Sequence, residues 1–333
     1  MKFIQAGLIA LPLILSACSG GGGGGSSRDT GGDGSLSLAI TDAPVDGALN
    51  VLVEFTGVEL KPVDGPWQYY NLSGESQRCV DWPATSEAEA TIRCIDLLVL
   101  NGGASELILD GVTVPAGDYN AIRLSVNAER GVMDSIFVAS DGGAHSLYIP
   151  SGSQSGLKLN SAFTIGASVR SDFVIDFDLR KSVNNPQGFD DYRLKPSLKL
   201  IENSRSGAIF GTVNQELIFD ESCGNGDNFD MGNSVYIFSG DVIPVDISGA
   251  DTDPYTTAMV TLDAEGDYSY RAAFLPEGTY TVAFTCQGLA DDPAQVDVIV
   301  FNPEPPATEV VEVTPGSEHE ISFPPLPTLN KLI

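Results

Sequence analysis

The sequence predicts an all-β protein built from two antiparallel β-sandwich domains. Short segments alternate apolar and polar residues with a period of two, the period of a strand with one buried face. Clusters of Gly, Pro and Asp punctuate them at short intervals, as turns do. The 333 residues leave enough chain beyond position 34 for two such domains.

The first stretch is of another kind. Met1-Lys2 is a short basic start, and Phe3 to Leu15 is an apolar run interrupted only by Gln5, Gly7 and Pro12. It is too short for a comfortable membrane span and has the layout of a secretory signal. It closes on Leu15-Ser16-Ala17-Cys18. This ending resembles the lipobox of bacterial lipoproteins. The resemblance implies cleavage before Cys18 and acylation of its thiol and its new amino group. Several acyl chains anchor firmly where one is marginal. Ser19, rather than Asp, follows the cysteine, which resembles the outer-membrane-directed class. Residues 1–17 are thus expected to be the signal peptide. Residues 18–34, with Gly20 to Gly25 at their centre, are expected to form a flexible tether.

The first sandwich is expected over residues 35–203. Ser35 to Ile40 alternates, and Thr41-Asp42-Ala43-Pro44 turns the chain. Val51 to Leu60, Trp67 to Leu72 and Ile92 to Leu100 read as further strands, while Glu106 to Leu109 reads as strand or helical turn. Pro115-Ala116-Gly117-Asp118-Tyr119 turns into Ile122 to Val126, the clearest alternation in the chain. Asp141-Gly142-Gly143 marks a hairpin, Phe173 to Leu179 is a strand, and Arg193 to Ile201 closes the body. The second sandwich is expected over 204–323. Its strands lie at Ala208 to Val213, Ser234 to Phe238, Met259 to Leu262, Tyr268 to Phe274 and Thr281 to Phe284. The last two follow the turns Asp263 to Asp267 and Leu275 to Tyr280. Residues 324–333 form a Pro-rich tail.

Beyond Cys18 the four cysteines fall two to each half. In an oxidising compartment they are expected to pair within each body, Cys79 with Cys94 and Cys223 with Cys286. By loop entropy the short link is worth about 3 kcal/mol and the long one about 4 kcal/mol. Zinc is the rival reading, but there is no Cys-x-x-Cys, and the two histidines are His145 and His319.

The formal net charge is −28. After Ser204 the only Lys or Arg residues are Arg205, Arg271 and Lys331. Such an excess of acid argues against nucleic acid as a partner and against lying on anionic lipid, and fits a solvated acidic surface.

The opening Ile40 to Asp46, the Pro115 to Tyr119 turn with Ile122-Arg123-Leu124, and Asp176-Phe177-Asp178-Leu179-Arg180-Lys181-Ser182-Val183 together resemble the DUF4382 family. The resemblance spans about Ser35 to Ile201. It implies an envelope lipoprotein with a β-sandwich and no established activity. In the second body the Gly211-Thr212-Val213 strand, the acidic Gly266 turn and Leu275-Pro276-Glu277-Gly278-Thr279-Tyr280 resemble prealbumin-like modules of the carboxypeptidase regulatory and Cna B types. Some Cna B domains build an isopeptide bond from lysine. The only lysine beyond 204 is Lys331, in the tail, so no such bond is expected there.

Two carboxylate sets invite a metal reading. Asp176 and Asp178, two apart on a strand, point to one side and would suit a hard cation such as calcium. The alternative is that Asp178 caps a helical turn, Arg180 pairs with a carboxylate and Asp42 caps a turn. Asp227 and Asp230, with Asn225, could offer oxygens, though not at EF-hand spacing. Asp246, Asp251 and Asp253 form another set, and an acidic solvated loop is the alternative for both. No other cofactor is indicated. There is no nucleophile elbow, since Gly152 to Gly156 has Gln154 at its centre, and no P-loop or dinucleotide fingerprint. The sequence therefore points to an envelope-anchored, non-enzymatic binding or structural module with a protein or glycan partner. The alternatives are a calcium-dependent or carbohydrate-binding adhesin and, more remotely, a carbohydrate-active hydrolase using paired acids. Trp67, Tyr69, Tyr70 and Trp82 are either core or a binding patch.

Overall fold

The structure is a computed structural model, and it describes residues 32–43, 47–82, 91–185, 190–195, 197–223, 231–302 and 308–324. Cys18 and the tether up to residue 31, the Asp227 and Asp230 run, and the tail from 325 lie outside the described residues.

Two sheets form the first body. One carries, in spatial order, Leu198–Glu202, Arg170–Asp178, Asp33–Ala43 and Glu106–Pro115. The other is ten-stranded. It runs Phe163–Ile165, Gly117–Asn127, Ala48–Pro62, Ile136–Ala139, Ala144–Tyr148, Tyr192–Leu194, Val183–Asn184. Gln68–Tyr70 and Arg93–Asp96 pair with the long Ala48–Pro62 strand, and Leu157–Leu159 pairs with Gly117–Asn127. Leu36, Leu38 and Ile40 alternate into the core from one sheet, Val53, Phe55, Val58 and Leu60 from the other, and all are fully buried. Phe55 and Phe177 meet edge to face across it, 6.2 Å apart.

The second body has two four-stranded sheets. Thr261–Leu262, Tyr268–Pro276, Ser206–Thr212 and Glu318–Glu320 make one; Thr256–Met259, Ser234–Ser239, Gly278–Thr285 and Glu309–Val313 make the other. Between them lie Ile209, Val235, Ile237, Leu275, Val282 and Phe284, with Cys223 and Cys286. On the other side of Ser234–Ser239, Tyr236 and Phe238 pack with Ile247 and Phe301, so this strand is buried on both faces.

Several local readings change. Thr41 and Asp42, expected in a turn, are part of the strand Asp33–Ala43. Trp67 to Leu72 is strand only over Gln68–Tyr70, and Ile92 to Leu100 is strand over Arg93–Asp96 and then a 3-10 turn over Leu97–Val99. Asp96 makes that turn, its side chain accepting the Leu98 N–H. Glu106 to Leu109 is strand and runs on to Pro115. The sheets are mostly antiparallel, but Asp33–Ala43 runs parallel to Arg170–Asp178, Tyr192–Leu194 parallel to Ala144–Tyr148, and Ser206–Thr212 parallel to Glu318–Glu320. In each body the first strand takes a late strand as neighbour. A chain that switches sheets between successive strands is free of the hairpin constraint that makes neighbours antiparallel.

Candidate functional site: the charged junction between the two bodies

The Asp176 to Lys181 segment that stood out in the sequence ends a strand of the first body and meets the second. Asp178 accepts the Lys181 N–H through Oδ1 at 3.3 Å and so caps the single helical turn Leu179–Ser182. This cap turns Arg180 and Lys181 toward the second body.

Arg180 is 7% exposed. Its Nη1 donates to Tyr236 Oη at 2.8 Å and to the Gly288 carbonyl at 3.3 Å, and its Nη2 reaches Ser234 Oγ at 3.5 Å. Tyr236 in turn donates to Asp291, which also accepts the Ile247 N–H at 3.2 Å. Burial raises the Asp291 carboxyl above its ordinary value, while the Tyr236 bond, the Ile247 amide and the nearby Arg180 oppose the rise. Lys181 Nζ lies 3.4 Å from Asp178, 3.6 Å from Asp253 and 3.2 Å from the Pro254 carbonyl. Asp253 also accepts the N–H groups of Ser248, Gly249 and Ala250. Lys199, one strand over, sits 3.5 Å from Asp176, donates to the Tyr255 carbonyl and lies 4.1 Å above the Tyr255 ring. Burial pushes the Asp176 carboxyl up, with Lys199 opposing.

Asp176 and Asp178 thus each engage a lysine. Asp246 accepts the Asp297 N–H at 2.6 Å, and Asp251 is exposed. Among the described residues no group of three or more His, Cys, Asp or Glu is arranged to hold a metal ion. Asp42, Asp176, Gly103, Thr257 and Arg271 line a small cavity where the bodies meet, about 20 Å³ in volume, which is room for one water and not for a substrate. Lys199, Tyr236, Tyr255 and Asp291 were not singled out by sequence reasoning. Lys199 and Tyr236 lie in segments read as strands and Tyr255 and Asp291 in none, and no local signal joins positions so far apart.

Cys79 is bonded to Cys94 and Cys223 to Cys286, with Cα atoms 4.9 and 5.2 Å apart. The first link holds a loop over the outer face of the ten-stranded sheet, where it packs on Leu52 and Ile136. Under that loop Glu54 is wholly buried, accepting from Arg78, the Cys79 N–H and Asn127. The four aromatics divide. Tyr70 is half-buried against the core, Trp82 lies at the disulfide loop, and Trp67 and Tyr69 stand on the open part of the same outer face.

The fold is that of a two-body, all-β protein of sandwich type. Residues 33–196 match the model of the family described as a domain of unknown function, DUF4382. No curated protein matches the chain. Among solved structures it is similar to a putative adhesin from Bacteroides ovatus, at 9% identity over 94% of this chain and 100% of that one, with a TM-score of 0.18. It is also similar to the minor pilin of Streptococcus agalactiae, at 9% identity over 89% and 99%, TM-score 0.17. The third is the Bacillus anthracis TIE protein, at 10% identity over 87% of this chain, TM-score 0.19; there the chain spans 33% of the other's length.

Proposed function

We propose that this chain is a non-enzymatic binding or structural module of the bacterial envelope, held to the outer membrane through acylated Cys18 and lifted from it by the glycine-rich tether. The observation that carries the reading is the junction. Arg180, Lys181 and Lys199 of the first body are spent on Tyr236, Asp253, Gly288 and Tyr255 of the second. Groups that could serve acid–base chemistry are consumed in fixing two sandwiches at one relative orientation. Such an arrangement suits presenting surfaces, which needs rigidity more than turnover.

Two measurements test this. The mass of the N-terminal peptide from the chain purified out of its own envelope is expected to carry acyl chains on Cys18, and Cys18→Ser is expected to release the chain into the soluble fraction. Protease added to intact and to lysed cells then separates a surface position from a periplasmic one. An unacylated soluble wild-type chain, or hydrolysis of a polysaccharide or ester by the purified protein, overturns the reading.

A further inference from the structure

On the ten-stranded sheet, the outward positions Tyr69, Glu59, Arg123 and Lys158 stand side by side on four adjacent strands, in direct cross-strand register. Facing positions in such a row are within side-chain reach of one another. Tyr69 is held flat. Its hydroxyl donates to the Thr56 carbonyl at 2.6 Å. Its ring lies on Gly57 so closely that a Cβ there would come within 2.4 Å of Cε2, Cζ and Oη. One ring face is therefore spent on the backbone, and the residue is still 56% exposed. Trp67 covers the Arg123 guanidinium at 4.3 Å, with Lys158 Nζ 5.8 Å from the same ring. Among the described residues Arg123 donates only through Nη1, to Glu59 at 3.2 and 3.3 Å. Lys158, and Lys61 on the Glu59 strand, form no ion pair among the described residues.

We propose that this face binds an acidic polysaccharide, a chain of carboxylated sugars. The proposal rests on the binding-module reading and names its ligand. A sugar ring has an apolar face that suits a fixed aromatic platform, and Tyr69 is one that needs no ordering on binding. The charge selects the class of sugar. On a chain of net charge −28 this row holds, among the described residues, the cations Arg123, Lys158 and Lys61 and the carboxylate of Glu59, already paired with Arg123. The free Nη2 of Arg123 offers the planar geometry that carboxylates take, and Lys158 and Lys61 flank it as point charges. Nucleic acid shares the anionic charge and the stacking; a duplex, with a charge about every 1.7 Å of its axis, is repelled by the acid excess over the rest of the molecule, and a single strand is a comparator in the test.

The test is affinity electrophoresis and calorimetry of the full chain in detergent with polygalacturonate, with neutral laminarin and a single-stranded oligonucleotide as comparators. Polygalacturonate is expected to bind, and to weaken as salt rises. Tyr69→Ala and Arg123→Gln are each expected to lower its affinity about ten-fold, the loss of one stacked platform or one charge-assisted hydrogen bond. Lys158→Gln, which removes only an exposed charge, is expected to lower it about three-fold with unchanged melting, so the test survives if the first two variants misfold. Trp82→Ala, at the disulfide loop, is expected to change nothing. Equal binding of laminarin, preference for the oligonucleotide, no binding of polygalacturonate, or binding indifferent to Lys158→Gln overturns the proposal. Those results leave acylation of Cys18 and the junction untouched, so the binding-module reading stands or falls on its own measurements.

Discussion

In the first body Pro115-Ala116-Gly117-Asp118-Tyr119 links two strands, and in the second Pro276-Glu277-Gly278-Thr279-Tyr280 does the same. Tyr119 donates to the Pro115 carbonyl at 2.7 Å, Tyr280 to the Pro276 carbonyl at 2.9 Å, and burial pushes both phenols up to about 12. The two bodies share a turn, yet they balance charge differently. The first pairs Arg78, Arg93, Arg123, Arg130 and Arg170 with its own acids. The second has Arg205 and Arg271 among its described residues, both on surface pairs. Its inner carboxylates Asp253 and Asp291 lie in the field of Lys181 and Arg180, which belong to the first body. The second body is thus complete in its packing and incomplete in its electrostatics.

The largest way to sharpen this comparison is to remove the staples one body at a time. Cys223→Ala with Cys286→Ala opens a span of 63 residues inside the second core, and about 4 kcal/mol should be lost. Cys79→Ala with Cys94→Ala opens 15 residues at the surface of the first, for about 3 kcal/mol. Urea titration of the two variants checks the order, and the reverse order would mean that the second core does not depend on its staple. Next comes the junction. Arg180→Ala leaves Tyr236, Ser234 and the Gly288 carbonyl without a buried cation, at a cost of about 3 kcal/mol. It should also split one calorimetric transition into two, the second body melting first. A single transition that merely shifts would show that the bodies hold together without Arg180. The turn variants are the matched control: Tyr119→Phe and Tyr280→Phe should each cost about 1 kcal/mol, since each removes one hydrogen bond of the same kind.

What the sequence reveals of this arrangement follows the range of the interactions. Alternation at Ile122 to Val126 and Phe173 to Asp178 is local, and both are strands. The Asp178 cap spans three residues and was among the two readings of that segment. Pairing the cysteines within each half follows from an oxidising compartment and from two of them falling in each body. The junction could not be read in this way. Arg180 reaches Tyr236 and Gly288, 56 and 108 residues away, and only the packing of two complete sandwiches sets those distances. The same holds for the parallel neighbours of the first strand in each body, and for Glu54, whose position on a strand says nothing of the disulfide loop that buries it.

The smallest effect separates burial from pairing at the junction. Asp176 is buried against Lys199 at 3.5 Å, with Asp178, Lys181 and the Tyr255 ring around it. If pairing dominated, its carboxyl would sit below the ordinary range; burial dominates, and it sits above. The folded chain then holds a proton at Asp176 more readily than the unfolded chain does. Over the interval between the ordinary carboxylate value and the raised one, the unfolded state binds fewer protons, so stability falls as pH rises. Asp176→Asn cannot take up that proton. The stability of the wild type relative to Asp176→Asn should therefore improve on acidification from neutral pH down to the ordinary carboxylate value, as read from paired urea titrations. Asp291→Asn should move the same way, because burial raises that carboxyl too. Asp292, an exposed carboxylate held below its ordinary value by the Ala294 N–H, should show the opposite sign, and only below the ordinary carboxylate value, where the wild type loses ground to Asp292→Asn as pH falls. A wild type that loses ground to Asp176→Asn on acidification would mean that the Lys199 pair, made within the first body, outweighs burial.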